Sequence, residues 1–198
     1  MFTGLIQATG RVVSLLRTSP AVLKVETDWT AELPPGGSVA VNGTCLSVIE
    51  RKGRLLSFNL ARETLRATSF ADLAPGDLVN LERPLTLASP LDGHLVSGHV
   101  DGVARVRGIR SLGGSYALSF TFLDSSWRRY LMAKGSVTIN GVSLTVTAAN
   151  PTYFAVEVIP VTWAATNLSR VRVGERVNVE LDFLAKTLYN LMKSEQNG

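Results

Sequence analysis

A chain of 198 residues that is 45% hydrophobic and 18% charged carries enough apolar material for a buried core and too little charge for a disordered one. Its net charge of +4 comes from arginines scattered along the chain (Arg11, Arg51, Arg62, Arg83, Arg107, Arg128, Arg172), without the dense basic run or interleaved aromatics of a nucleic-acid binder. A lone Cys45 excludes an intrachain disulfide and a Cys/His zinc spacing, and no apolar stretch approaches the ~18 residues of a membrane span, so a soluble, cytoplasmic protein is expected.

In chain order, "MFTGLIQATG" lacks the basic segment and long apolar stretch of a secretory leader. "TDWTAELPPGG" (27–37) is irregular and ended by prolines. "GSVAVNGTCLSV" (37–48) alternates its side chains around an Asn-Gly turn, the mark of a hairpin. "RETLRATSF" (62–70) reads as a short helical turn, followed by a Gly-Asp turn and an apolar strand ending at Glu82. "GHLVSGHVDG" (93–102) contains the two histidines among glycines. In "LDSSWRRYLMAKG" (123–135), Asp124 and Ser125 are candidate caps, Trp127, Leu131 and Met132 fall at helical spacing, and Gly135 is a stop. "GSVTINGVSLTV" (135–146) is a second hairpin and "VTWAATNLS" (161–169) a second helical turn. In the tail, Leu184, Leu188, Leu191 and Met192 form one stripe of a helix of about three turns. So short a helix must pack on something, either its own barrels or other subunits.

These segments repeat. Residues 37–48 align with 135–146, and 63–82 with 161–180, each 98 positions apart; "FTGLIQATGRV" (2–12) aligns with "VSGHVDGVARV" (96–106) at a shorter offset. Short strands with Gly and Pro turns every 8–12 residues or so imply a small closed barrel in each half.

His94 and His99 lie five apart, which on one strand puts them on opposite faces, and no third ligand is near, so a shared metal is not expected. Ser97, His99 and Asp101 contain the residue types of a hydrolase triad without a nucleophile elbow. Cys45 and Ser143 occupy equivalent places, either as small barrel residues or as paired sites specialised to thiol and hydroxyl. Lys134 is a surface lysine or a charge near a ligand; turn geometry suffices to explain Asn42 and Asn140; Asp182 follows the last strand. Phosphate-loop and dinucleotide fingerprints are absent.

Together, "MFTG" at the N-terminus, "GSVAVNGTCLSV", "GHLVSGHVDG" and "KGSVTINGVSLTV" closely resemble the riboflavin synthase α-chain family, from Met1 to about Asp182. The resemblance implies an all-β fold of two tandem homologous six-stranded antiparallel Greek-key barrels with short helices, at 1–86 and 94–182, plus a C-terminal helix at 183–198 that gathers three subunits. The implied activity is a transferase reaction, the dismutation of two 6,7-dimethyl-8-ribityllumazine molecules. One donates a four-carbon unit to the other, giving riboflavin and 5-amino-6-ribitylaminouracil without metal or organic cofactor. Related barrels facing each other across a subunit boundary suit a donor and acceptor that are the same compound. An association with lumazine synthase is left open.

Position by position, the resemblance puts Phe2 close to the reacting rings and Gly4, Leu5 and Ile6 in the first pocket. Ser38, Cys45 and Ser47 match polar positions of the first-barrel site, Leu46 is a binding position beside them, and Asn59, Leu60, Ala61, Arg62, Glu63 and Thr64 match its ribityl and ring contacts. For the second barrel, His94, Gly98, His99, Val100, Lys134, Ser143, Leu144 and Thr145 match, as do Ile159, Pro160, Val161, Thr162, Trp163 and Ala164. His99 and Ser143 are favoured for proton transfer, with Cys45 assisting and Phe2, Lys134 and Asp182 also in the catalytic set. Trp163 stands where the family has leucine and Asn167 where it has threonine, changes expected at the second pocket's rim. The rival reading is a non-catalytic lumazine or flavin carrier; as the resemblance runs, such carriers lose the "SGH" histidine that this chain keeps at His99.

Overall fold

The computed structural model describes residues 1–195. The first half closes into a barrel from β1 (Ala8–Leu16), β2 (Ala21–Glu26), β3 (Ser38–Val41), β4 (Thr44–Lys52), β5 (Leu55–Leu60) and β6 (Leu78–Glu82), in the order β1-β2-β5-β4-β3-β6. The second uses β7 (Gly102–Ser111), β8 (Tyr116–Thr121), β9 (Ser136–Ile139), β10 (Val142–Ala149), β11 (Tyr153–Val158) and β12 (Arg176–Leu181), and its order is the same cycle. Every pairing is antiparallel, and closure leaves no free sheet edge in either ring. The repeat therefore corresponds to two complete barrels, with matching bulges at Val48/Glu50 and Val146/Ala148.

Alternation builds each core. Along β2, Ala21, Leu23 and Val25 point inward, and along β11 so do Phe154, Val156 and Val158. Each interior is a separate apolar cluster, centred on Phe58 and Phe70 in one barrel and on Phe120 and Phe154 in the other. The helical turns appear as α1 (Arg62–Ala67) and α2 (Pro160–Ala165), each followed by a 3-10 turn that tucks Phe70 or Leu168 under its barrel. Residues 125–130 form a 3-10 helix capped by Asp124, whose carboxylate accepts from Ser126 N. It stops before Leu131 instead of reaching Gly135, because only Trp127 and Leu131 find the core while Met132 is exposed. The tail forms α3 (Phe183–Glu195). Its first turns hold it to the body, where Lys186 pairs with Asp101 at 2.8 Å and Tyr189 meets Tyr130 edge-on.

The barrels meet through polar groups arranged about a local two-fold. Asn42 and Asn140 lie at φ 44° and 46° in their hairpin turns, and the following glycines touch tip to tip: a Cβ on Gly43 would lie 2.8 Å from Gly141 N. Asn80 donates its side-chain N–H to Asn140 O, and Asn178 donates to Asn42 O, both at 2.9 Å. The side-chain oxygens of Asn42 and Asn140 accept from Asn80 N and Asn178 N at 2.8 and 2.9 Å. The turn asparagines thus do more than tolerate a turn: they join the halves. Asn167 belongs here too, at the barrel junction, and not at the rim of the second-barrel site. It is buried, donates from its backbone N to Asn80 Oδ1 at 2.7 Å and from its amide to Asn42 Oδ1 at 3.0 Å.

Candidate active site

The leading segments of the two halves are held together at their start by an antiparallel bridge. Phe2 N donates to Val96 O at 2.7 Å, and Val96 N returns the bond to Phe2 O at 3.1 Å. Each segment is then gripped by a carboxylate at the end of its own barrel's last strand. Glu82 accepts from Thr3 N and Thr3 Oγ1, both at 2.7 Å, and from Gly4 N at 3.1 Å; Glu180 accepts from Ser97 N and Oγ at 2.6 Å and from Gly98 N at 3.0 Å. Burial raises the pKa of both carboxyls above the ordinary 4.5, against the pull of these donors and, at Glu180, of Lys186. Neither glutamate was singled out from the sequence, although "VNLE" and "VNVE" sit at the same repeat position.

Beyond the carboxylates the segments cross to the opposite barrel. Gly4 O accepts from Ser143 N at 2.8 Å, and Gly98 O accepts from Cys45 N at 2.8 Å. The glycines are left-handed, at φ 77° and 81°, and a Cβ on Gly98 would sit 2.7 Å from Cys45 Cβ. The expected grouping is therefore corrected: Gly4, Leu5 and Ile6 lie along the second barrel, beside Ser143, while Gly98 and His99 lie along the first, beside Cys45. The cause is the crossing itself, which joins residues about 140 positions apart in one case and about 50 in the other and leaves no trace in local pattern.

At the second-barrel site, His94 Nδ1 shares a hydrogen bond with Ser143 Oγ at 2.7 Å, and Thr138 Oγ1 approaches Nε2 at 3.3 Å. His94 N donates to Thr3 O, which fixes the ring's approach. Burial lowers the His94 pKa below the ordinary 6.5, while the Asp182 carboxylate pulls the other way. A neutral imidazole between two hydroxyls can hold Ser143 Oγ oriented and take or return its proton. Asp182 also caps α3, accepting from Leu184 N at 2.8 Å. Thr145 is exposed two residues along β10. Nearby, α2 carries Thr162, with Ile159 and Val161 exposed at 55% and 68%. Trp163 stacks on Tyr116, centroids 4.1 Å apart at 12°, and is half-buried against the second core.

At the first-barrel site, Cys45 is half-buried and Ser47 exposed on the outer face of β4, with Ser38 directly across from Ser47 on β3. Asn59 is exposed at the end of β5, next to Ala61, Arg62, Glu63 and Thr64 at the start of α1. The His99 side chain is exposed, its backbone N donating to Ser97 Oγ. Leu46, Leu60 and Leu144 point into the barrels, so only their backbones can face a ligand. Phe2 is fully buried with Ala40 and Val96, its ring against Gly98. It supports the site from beneath and does not line it. Lys134 is exposed at φ 71°, and among the described residues it makes only a backbone bond, from its N to Val146 O. Ser97, His99 and Asp101 are not a triad, since the Ser97 hydroxyl donates to Glu180 and Asp101 pairs with Lys186.

The state of His94 has a measurable consequence. Its folded pKa lies below 6.5, so the unfolded state binds the proton first; stability present above about pH 6.5 is lost as pH falls toward the folded value. His94→Asn is expected to remove that component, so that the stability difference between wild type and variant narrows between about pH 7.5 and 5 in urea unfolding. A pH-independent difference would show that the imidazole is not buried neutral.

The Lumazine binding domain family matches residues 3–84 and 97–182. The chain is 40% identical to the riboflavin synthase of Escherichia coli (strain K12) over 187 residues, covering 92% of this chain and 87% of the relative. It is 37% identical to the riboflavin synthase of Mycobacterium tuberculosis, covering 98% and 99%, and 35% identical to that of Bacillus subtilis (strain 168), covering 100% and 93%. Among solved structures, LumP complexed with riboflavin superposes with a TM-score of 0.82 at 23% identity over 91% of this chain and 99% of that one, a likeness of fold. Among the described residues no helix is long and apolar enough to cross a membrane. Two lumazine-binding repeats, twin barrels with exchanged leading segments and full-length relatives of this identity have one reading: the chain belongs to the lumazine-binding family of riboflavin synthases.

Proposed function

We propose that this protein is a riboflavin synthase, a transferase that converts two 6,7-dimethyl-8-ribityllumazine molecules into riboflavin and 5-amino-6-ribitylaminouracil. The observation that carries the reading is the pair of half-sites made by the crossing: Ser143 with His94 on one barrel, Cys45 beside the His99 segment on the other. Each supplies a weakly acidic hydroxyl or thiol and an imidazole, which suits a reaction that begins by removing a proton from an already acidic ring methyl. Ser143, oriented by neutral His94, and exposed His99 are the proton-transfer groups, with Cys45 assisting. Most of the acceleration comes from holding two rings in register, an effect that reaches about 7–11 kcal/mol for well-oriented reactants. The setting is a reducing cytoplasm, where the single Cys45 stays a thiol.

Incubating the purified protein with 6,7-dimethyl-8-ribityllumazine is expected to release riboflavin, followed by its absorbance. Tight binding without turnover, the behaviour of an optical carrier, would overturn the reading. Ser143→Ala and His99→Ala are each expected to lower kcat by roughly 100-fold; near-native rates in both would remove the proton-transfer assignment.

The half-sites lie on open outer faces, so two substrates can stack only if barrels of different subunits face each other, and the assembly proposed is a homotrimer held by α3. Leu184, Leu188 and Met192 of the stripe are 53%, 60% and 63% exposed, so the helix does not spend this face on its own barrels. Truncation after Asp182 is expected to give a monomer by light scattering and to remove turnover while leaving both barrels folded. An unchanged oligomer would show that another surface assembles the protein.

A further inference from the structure

A cleft of about 840 Å³ opens between the barrels on the local two-fold. It lies at the leading ends of β6 and β12, at Leu78 and Arg176, whereas the gripping carboxylates Glu82 and Glu180 sit four residues on. By strand rise that is roughly 13 Å away, so the cleft is separate from the site described above.

Its walls carry Arg11, Arg105, Arg170, Arg172 and Arg176 against the carboxylates of Asp72, Asp77 and Glu175. Arg176 is consumed by a two-bond ion pair with Asp72 across the barrel junction, both contacts at 2.6 Å. Asp77 and Glu175 accept from the backbone N of Ala74 and Arg172, closing their own turns. Four guanidinium groups remain. Arg11 and Arg105 are equivalent in the two halves, and each is steadied by one bond to a turn carbonyl, Gly76 O at 3.2 Å and Gly174 O at 2.5 Å, with its other N–H groups unused among the described residues. The side chains of Arg170 and Arg172 make no hydrogen bond or ion pair among the described residues.

The repeat shows that this charge is one-sided. Arg170, Arg172 and Arg176 stand where the first half has Asp72, Ala74 and Leu78, so three arginines line the cleft from one half. Only Arg176 has a structural partner. Planar guanidinium forks lining a roomy polar cleft match the tetrahedral oxygens of phosphate better than a carboxylate's single plane, because several forks can engage one group.

We propose that the inter-barrel cleft is a binding site for a diphosphate-bearing small molecule, held by Arg170 and Arg172 of one wall with Arg11 and Arg105. Such a ligand contacts both halves and binds only when they are docked, so it stabilises their arrangement.

Isothermal titration of the full-length protein with inorganic pyrophosphate tests this, with ADP as a second arm that separates an inorganic ligand from a nucleotide-like one. Saturable binding of pyrophosphate at one site per chain is expected, with affinity at least 10-fold lower in the R170A/R172A double variant and a partial loss in R170K/R172K, which keeps charge but not the fork. Binding should raise the wild-type unfolding temperature and not that of the double variant. Tighter ADP binding would mean that an organic body also uses the cleft; equal binding would assign the site to the diphosphate alone. The double variant should keep its basal turnover, since neither arginine touches the half-sites. Absence of saturable binding in both arms, or an equal loss on substituting Arg54, which is remote from the cleft and paired with Asp28, would overturn the proposal.

Discussion

Gly98→Ala is expected to destabilise the protein by roughly 2–5 kcal/mol, the sum of a left-handed backbone penalty and an overpacked contact, and to abolish turnover. Gly98 has φ 81°, and a Cβ there would lie 2.7 Å from Cys45 Cβ and 2.8 Å from the Phe2 ring. Neither neighbour can yield cheaply, because Cys45 is fixed in β4 through Ala40 and Phe2 is fully buried against Ala40 and Val96. The segment must then lift off the first barrel, breaking the Cys45 N to Gly98 O bond and carrying His99 away from Cys45. Gly113 supplies the control, with the same φ of 81° and open space around its missing Cβ. Gly113→Ala should show only the backbone part, about 1–2 kcal/mol, and retain activity. Denaturant unfolding and steady-state turnover of the two variants decide the matter; if Gly98→Ala is no worse than Gly113→Ala, the close crossing is not what builds the site.

The second large effect is expected at the gripping carboxylates. Glu82→Gln keeps size and shape but replaces one acceptor oxygen by an N–H₂ group, which must face either the Thr3 donors or Gly4 N. A donor opposed to a donor in a site only 2% exposed costs about 1–3 kcal/mol. Because Gly4 O is bonded to Ser143 N, the lost grip is felt at the second-barrel site, and kcat should fall although Glu82 touches no substrate. Glu180→Gln should produce the mirror result at Cys45 and His99 through Gly98. Amide exchange at Gly4 in the first variant and Gly98 in the second reports the loosening directly. Unchanged protection with unchanged turnover would show that these glutamates are bystanders of the fold.

Much of the architecture was legible because barrels are written in local pattern. The alternation in "SVAVNGTCLSV", its twin 98 residues on, and the paired turn asparagines each specify a hairpin without reference to the rest of the chain. The placement of the two histidines was not readable from strand parity. His94 and His99 are parted by the left-handed turn at Gly98 and the crossing of their segment, not by strand parity. Asn167 misled in a similar way: it aligned with a pocket motif, yet its buried amide is spent on Asn42 and Leu78 O at the barrel junction.

What the amino-acid sequence determined by itself is the duplication, the two closed barrels and the family, since strand periodicity, turn chemistry and motif spacing are all local and all occur twice. Only the tertiary structure decided which residues share a site. The crossing of Gly4 to Ser143 and of Gly98 to Cys45 depends on two barrels docking through their asparagines and hairpin tips, and on Glu82 and Glu180 aiming the segments across that junction. Those contacts join positions far apart in the chain, where no periodicity links one partner to the other.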